Sequence, residues 1–137
     1  MRSIEELTVV QIRQMLESGE MTSRELVLRY MERVARIDQA GPRLNSVLEL
    51  NPDAPYIAEA MDRERARGKV RSPLHGIPIL VKDNVNTADK MRTSAGSIAL
   101  EDNFAPYDAT VAKKLREAGL VIMGKTNMTE LANYMSY

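Results

Sequence analysis

Ser72-Pro-Leu-His-Gly-Ile-Pro-Ile-Leu-Val-Lys82-Asp-Asn84 is an almost unbroken apolar segment that closes on a single lysine. Ile77, Ile79, Leu80 and Val81 follow one another too closely for a half-exposed strand, so the spacing predicts a short strand buried on both faces. Lys82 would then sit badly solvated. Burial disfavours an ammonium and can bring a neutral amine within reach near neutral pH. A neutral lysine can take a proton from a serine hydroxyl, as in serine-lysine nucleophilic catalysis. The same side chain could instead pack its stem under the sheet and pair its ammonium with a carboxylate such as Asp83. The spacing by itself leaves both roles open, because structural ion pairs also perturb lysines.

Outward from this segment the pattern alternates helices with strands. Upstream, a helix is expected from about Pro55 to Arg67, with proline in its first turn and Gly68 ending it. Downstream lies Thr93-Ser94-Ala95-Gly96-Ser97, small hydroxyl residues around a glycine, which suit close backbone approach to a ligand and equally suit turns and caps. Neither Ser94 nor Ser97 sits in a G-x-S-x-G frame. Asp108 is a candidate N-cap for a helix carrying Val111, Ala112, Leu115 and Ala118, closed by Gly119, and a buried strand from Leu120 to Met123 follows. This β-α-β-like order predicts that at least part of the sheet is parallel and covered by helices. Further out, Leu44 to Leu50 reads as a strand. Thr8 with Gln11, and Thr22 with Glu25, form capping boxes for two N-terminal helices, the first stopped by Gly19 and the second running to Gly41-Pro42. The expected organisation is a single α/β domain over residues 1–137, helical in 1–43 and mixed in 44–137.

Composition narrows the function. Of 137 residues, 19 are Lys or Arg and 19 are Asp or Glu, so the formal net charge is zero and no global field draws in nucleic acid or an anionic membrane. The run Arg63, Arg65, Arg67, Lys69, Arg71 is interrupted by Glu64 and carries no aromatics, so it reads as a solvated helix end. No cysteine is present, and His75 is the single histidine, which argues against a metal or other cofactor. In its Pro-Leu-His-Gly setting His75 reads as a packed turn residue. The charged start and the lack of any apolar run of about 18 residues point to a cytoplasmic protein without a membrane span.

Gly119-Leu-Val-Ile-Met-Gly124-Lys125-Thr126 matches the G-x-x-x-x-G-K-[ST] string of a phosphate-binding loop. Its context is wrong. A true phosphate loop follows a strand and opens a helix, with N–H groups exposed between its glycines. Here a helix precedes Gly119, and the intervening residues are themselves a strand.

Pro73 to Asn84, Thr93 to Ser97, Ala105-Pro-Tyr-Asp-Ala-Thr110 and Ala118 to Ala132 together resemble the amidase signature family of hydrolases, over nearly the whole chain. The resemblance implies the N-terminal part of that family's fold, a mixed sheet flanked by helices. It also implies hydrolysis of a small carboxamide to carboxylate and ammonia by a Ser, cis-Ser, Lys triad. Lys82 matches the lysine of the family's G-I-P-x-x-x-K-D motif, and Asn133 falls near the position that lines the substrate pocket. Both family serines belong to a Gly/Ser-rich segment beyond E-L-A-N, so Ser94, Ser97 and Ser136 do not occupy the nucleophile positions. The chain is therefore expected to carry the base, to need the C-terminal part of the same enzyme for turnover, and to self-associate through open strand edges. Two alternatives are the A subunit of a glutamyl-tRNA(Gln) amidotransferase and a non-catalytic interaction module derived from an amidase.

Overall fold

The computed structural model describes residues 3–133. Thr8 accepts from Gln11 N–H at 3.3 Å and Gln11 Oε1 accepts from Thr8 N–H at 2.8 Å, opening α1 (Val9–Ser18), and Gly19 ends it at φ 73°. The same reciprocal pair, Thr22 with Glu25, opens α2 (Ser23–Arg33). The expected continuation to Gly41-Pro42 is present as a π-helix over Val34–Gln39 rather than α-helix. That wider winding carries Asp38, whose carboxylate accepts from Ser46 N–H at 2.7 Å, from Val47 N–H at 3.0 Å and from the Ser46 hydroxyl. The helix end is thereby tied to the first strand.

Three strands follow: β1 (Val47–Leu50), β2 (Pro78–Lys82) and β3 (Val121–Thr126), with α3 (Ala54–Ala66) and α4 (Thr110–Glu117) between them. The sheet order is β1-β3-β2, β1 antiparallel and β2 parallel to β3, so the sheet is mixed and partly parallel as expected. Asp108 does not cap α4; Ala109 occupies that position, and Asp108 accepts instead from Ala88 N–H at 2.7 Å and from Arg116 at 3.0 Å.

Helices cover both faces of the sheet. Val27 of α2 with Ala54, Ala58 and Met61 of α3 packs against Val121 and Met123 on one face. Val81, Met91, Ala112 and Ile122 form the core on the other, beneath α4. A third cluster, Ile12, Met15, Leu16, Met21, Leu26 and Ile77, seats α1 on α2. Complete burial of one such aliphatic side chain is worth about 1.5–3 kcal/mol. His75 is enclosed in its turn: Nδ1 accepts from Arg71 N–H at 3.3 Å, which leaves the proton on Nε2, 2.9 Å from Met61 O.

The strand buried on both faces is β3, not β2. Every residue of β3 from Val121 to Lys125 is buried, whereas β2 lies at the sheet edge and only Val81 within it is buried. The continuous apolar run at residues 77–81 reflects helices on both faces of an edge strand rather than a central position.

Candidate active site

Lys82 ends β2 opposite Thr126 and is exposed, which corrects the expectation of a buried amine. Strand alternation turns Asp83 the other way, into the protein, where it is 1% exposed. No ion pair joins the two among the described residues, so the structural reading of Lys82 as a partner of Asp83 is not what the fold uses.

Asp83 organises the small-residue turn instead. Its Oδ2 accepts from the Ser94 hydroxyl, from Ser94 N–H at 3.2 Å and from Gly96 N–H at 3.4 Å, while its carbonyl accepts from Ala95 N–H at 3.1 Å. Its Oδ1 is buried without a hydrogen-bond partner among the described residues. The turn requires glycine at 96: φ is +68°, and a Cβ would lie 2.8 Å from Met128 O. Ser97 Oγ donates to Glu130 Oε1 at 2.8 Å, and Leu131 N–H donates to Ala95 O at 2.9 Å, so the segment after β3 lies along the same turn. Asn133 is exposed at the end of that segment, and Ser136 lies outside the described residues.

The charge that is buried belongs to Lys125. The strand from Leu120 runs past Met123 through Gly124, Lys125 and Thr126, so the glycine-lysine string is extended backbone and no phosphate loop. Register slips by one residue: Ile79 pairs with Ile122 but Leu80 with Gly124, leaving Met123 as an extra residue in β3. Such a bulge redirects the side chains beyond it. Lys125 is turned toward residues 85–93, is 0% exposed, and donates to Val85 O at 2.9 Å, Arg92 O at 3.0 Å and Thr93 Oγ1 at 2.9 Å. All three ammonium protons are used. Burial pushes this lysine below its ordinary range, offset in part by the nearby Asp83, Asp89 and Glu49 carboxylates.

Beside this network Leu48, Glu49, Arg92, Ser94, Glu101 and Asp102 line an open depression of about 310 Å³. A larger one, about 450 Å³, lies between the N-terminal segment and the α2 side of the π-helix, away from Lys82 and Asp83. Among the described residues no group of three or more His, Cys, Asp or Glu is arranged to hold a metal ion, and no helix is long and apolar enough to cross a membrane.

The sequence profile of the Amidase family matches residues 25–137. The chain belongs to the amidase family. Among curated amidase relatives, a Schizosaccharomyces pombe protein named as an amidase is 46% identical over 134 residues, covering 98% of this chain and 22% of its own length. The glutamine-dependent relative, a glutamyl-tRNA(Gln) amidotransferase of Prochlorococcus marinus, is 45% identical in its A subunit over 128 residues, covering 92% of this chain and 25% of its own. The native peptide amidase from Stenotrophomonas maltophilia superposes with a TM-score of 0.90 at 50% identity, over 94% of this chain and 26% of that one. This amidase chain thus spans about a quarter of the length of the relatives it matches.

Sequence reasoning placed the amidase lysine at the end of β2 but passed over Lys125 and gave Asp83 only an ion-pair role. A signal for Lys125 was present. Once the phosphate-loop string is read as a strand, a lysine following Leu-Val-Ile-Met becomes a buried lysine.

Proposed function

We propose that this chain is the base-bearing part of an amide hydrolase, with Lys82 as the general base and the nucleophilic serine and its bridging cis-serine supplied by the rest of the enzyme. The observation that carries this reading is the placement of Lys82: it matches the family motif and stands exposed at the end of an edge strand, where another segment can close over it. Such closure would provide the desolvation that the described residues do not, favouring the neutral amine. In the reaction, the amine of Lys82 takes the bridging serine's proton as that serine takes the nucleophile's. The nucleophile's oxygen forms a bond to the carboxamide carbon. The C–N bond then breaks, the leaving nitrogen receives the proton, and water releases the carboxylate. A small linear amide fits the open setting, and Asn133, beside the Ser94–Gly96 turn, is a candidate contact for it. The chain by itself turns over no substrate, and its site of action is the cytoplasm.

Amide hydrolysis by the full-length protein, abolished by Lys82→Ala with the fold intact, is the expected result. Retained turnover in that variant refutes the assignment, and turnover by the isolated chain refutes its dependence on the remainder. The 45% identity to the amidotransferase favours a second reading, a component that releases ammonia from glutamine. Glutamine hydrolysis that appears only when a partner protein is added selects it.

A further inference from the structure

We propose that Lys125 is a positioning residue for Lys82, its enclosed ammonium holding the backbone that presents the base. This rests on the reading of Lys82 just given. The connection can be followed bond by bond. Lys125 Nζ donates to Val85 O at 2.9 Å, and Val85 N–H donates to Lys82 O at 2.9 Å. On the other side, Lys125 Nζ donates to Thr93 Oγ1 at 2.9 Å, and the next residue, Ser94, donates through its N–H and its hydroxyl to Asp83 Oδ2. Asp83 N–H closes back on β3 at Thr126 O, 3.2 Å away. The ring of bonds therefore leaves from residue 82 and returns at residue 83.

A lysine is not needed here for stability. Exchanging a buried charge for an apolar side chain of similar volume often leaves stability unchanged or improved. What an apolar side chain cannot do is hold three acceptors, one before the loop and two after it, at fixed distances from one strand. An ammonium with three protons can. The bulge at Met123 is the local irregularity that aims it there.

The test uses the full-length enzyme, with Lys125→Met and Thr93→Val assayed well below the melting temperature of each variant and Lys82→Ala alongside. Thr93→Val keeps the side-chain shape while removing one acceptor. Displacing a reacting group by about 1 Å costs on the order of a hundredfold. The expected result is a loss of kcat of that order in Lys125→Met with KM nearly unchanged, a smaller loss in Thr93→Val, and a double variant no worse than Lys125→Met. If Lys82→Ala is inactive but both other variants keep kcat and lose only melting temperature, Lys125 merely stabilises the fold and the inference is overturned. A raised KM at unchanged kcat also overturns it, because the network would then shape a pocket. If Lys125→Met does not fold, Thr93→Val decides by the same criterion. Activity retained in Lys82→Ala instead defeats the underlying assignment of the base.

Discussion

Lys125 pairs with Val81 across the β2–β3 boundary, so it stands one residue out of step with Lys82, and the two lysines occupy opposite environments. One is exposed and the other has no exposed surface. Because burial lowers the Lys125 ammonium below its ordinary value of 10.5, the folded chain binds fewer protons here than the unfolded one between the two values. Stability from this residue must therefore rise as pH climbs through that window and fall as pH drops through the folded value. Melting temperatures of the wild type minus those of Lys125→Met, taken from about pH 8 to about pH 10, should increase with pH. A flat or falling difference contradicts the buried ammonium.

Gly96→Ala should destabilise the chain by about 1–3 kcal/mol, read as a lower urea midpoint at unchanged slope. The substituted Cβ meets Met128 O at 2.8 Å and Thr129 O at 3.1 Å, both backbone atoms, and the residue is held at φ +68°. A neutral effect would mean that the 94–96 turn and the segment after β3 are not packed as described.

Magnesium-ATP should leave the melting temperature where it is. Gly124, Lys125 and Thr126 pair with both neighbouring strands, and the lysine's three protons are already committed. A thermal shift that grows with nucleotide concentration would require this strand to open into a loop.

The isolated chain should associate as its concentration rises. Ile98 is 82% exposed and Phe104 51%, and β1 and β2 each leave one edge unpaired within the sheet. Light scattering on dilution checks this, and Ile98→Lys should shift the distribution toward monomer. A single monomeric species at every concentration counts against it.

Much of this fold was legible in the residues. Capping boxes at Thr8 and Thr22 are local hydrogen-bond devices, so they mark helix starts without reference to the rest of the molecule. The β-α-β succession likewise announced a parallel pair. What failed were properties set by distant partners. Whether β2 or β3 is central depends on which strands flank it, and apolar content cannot distinguish an edge strand covered on both faces from a central one. The exposure of Lys82 and the enclosure of Lys125 follow from that order and from a one-residue bulge, neither of which is written in local periodicity. The π-helix at Val34–Gln39 escaped for a related reason: its winding serves Asp38's bonds to Ser46 and Val47, a contact made across a turn.

The middle strand of the sheet is the last of the three to be synthesised. β1 and β2 each pair only with β3, so a nascent chain that has emerged as far as Lys82 holds two strands with nothing to bind. At about 5–20 residues per second, translation leaves them waiting for seconds until Val121–Thr126 clears the ribosome. During that interval the helical pair α1 and α2 can form by local contacts, but the sheet must assemble in one late step.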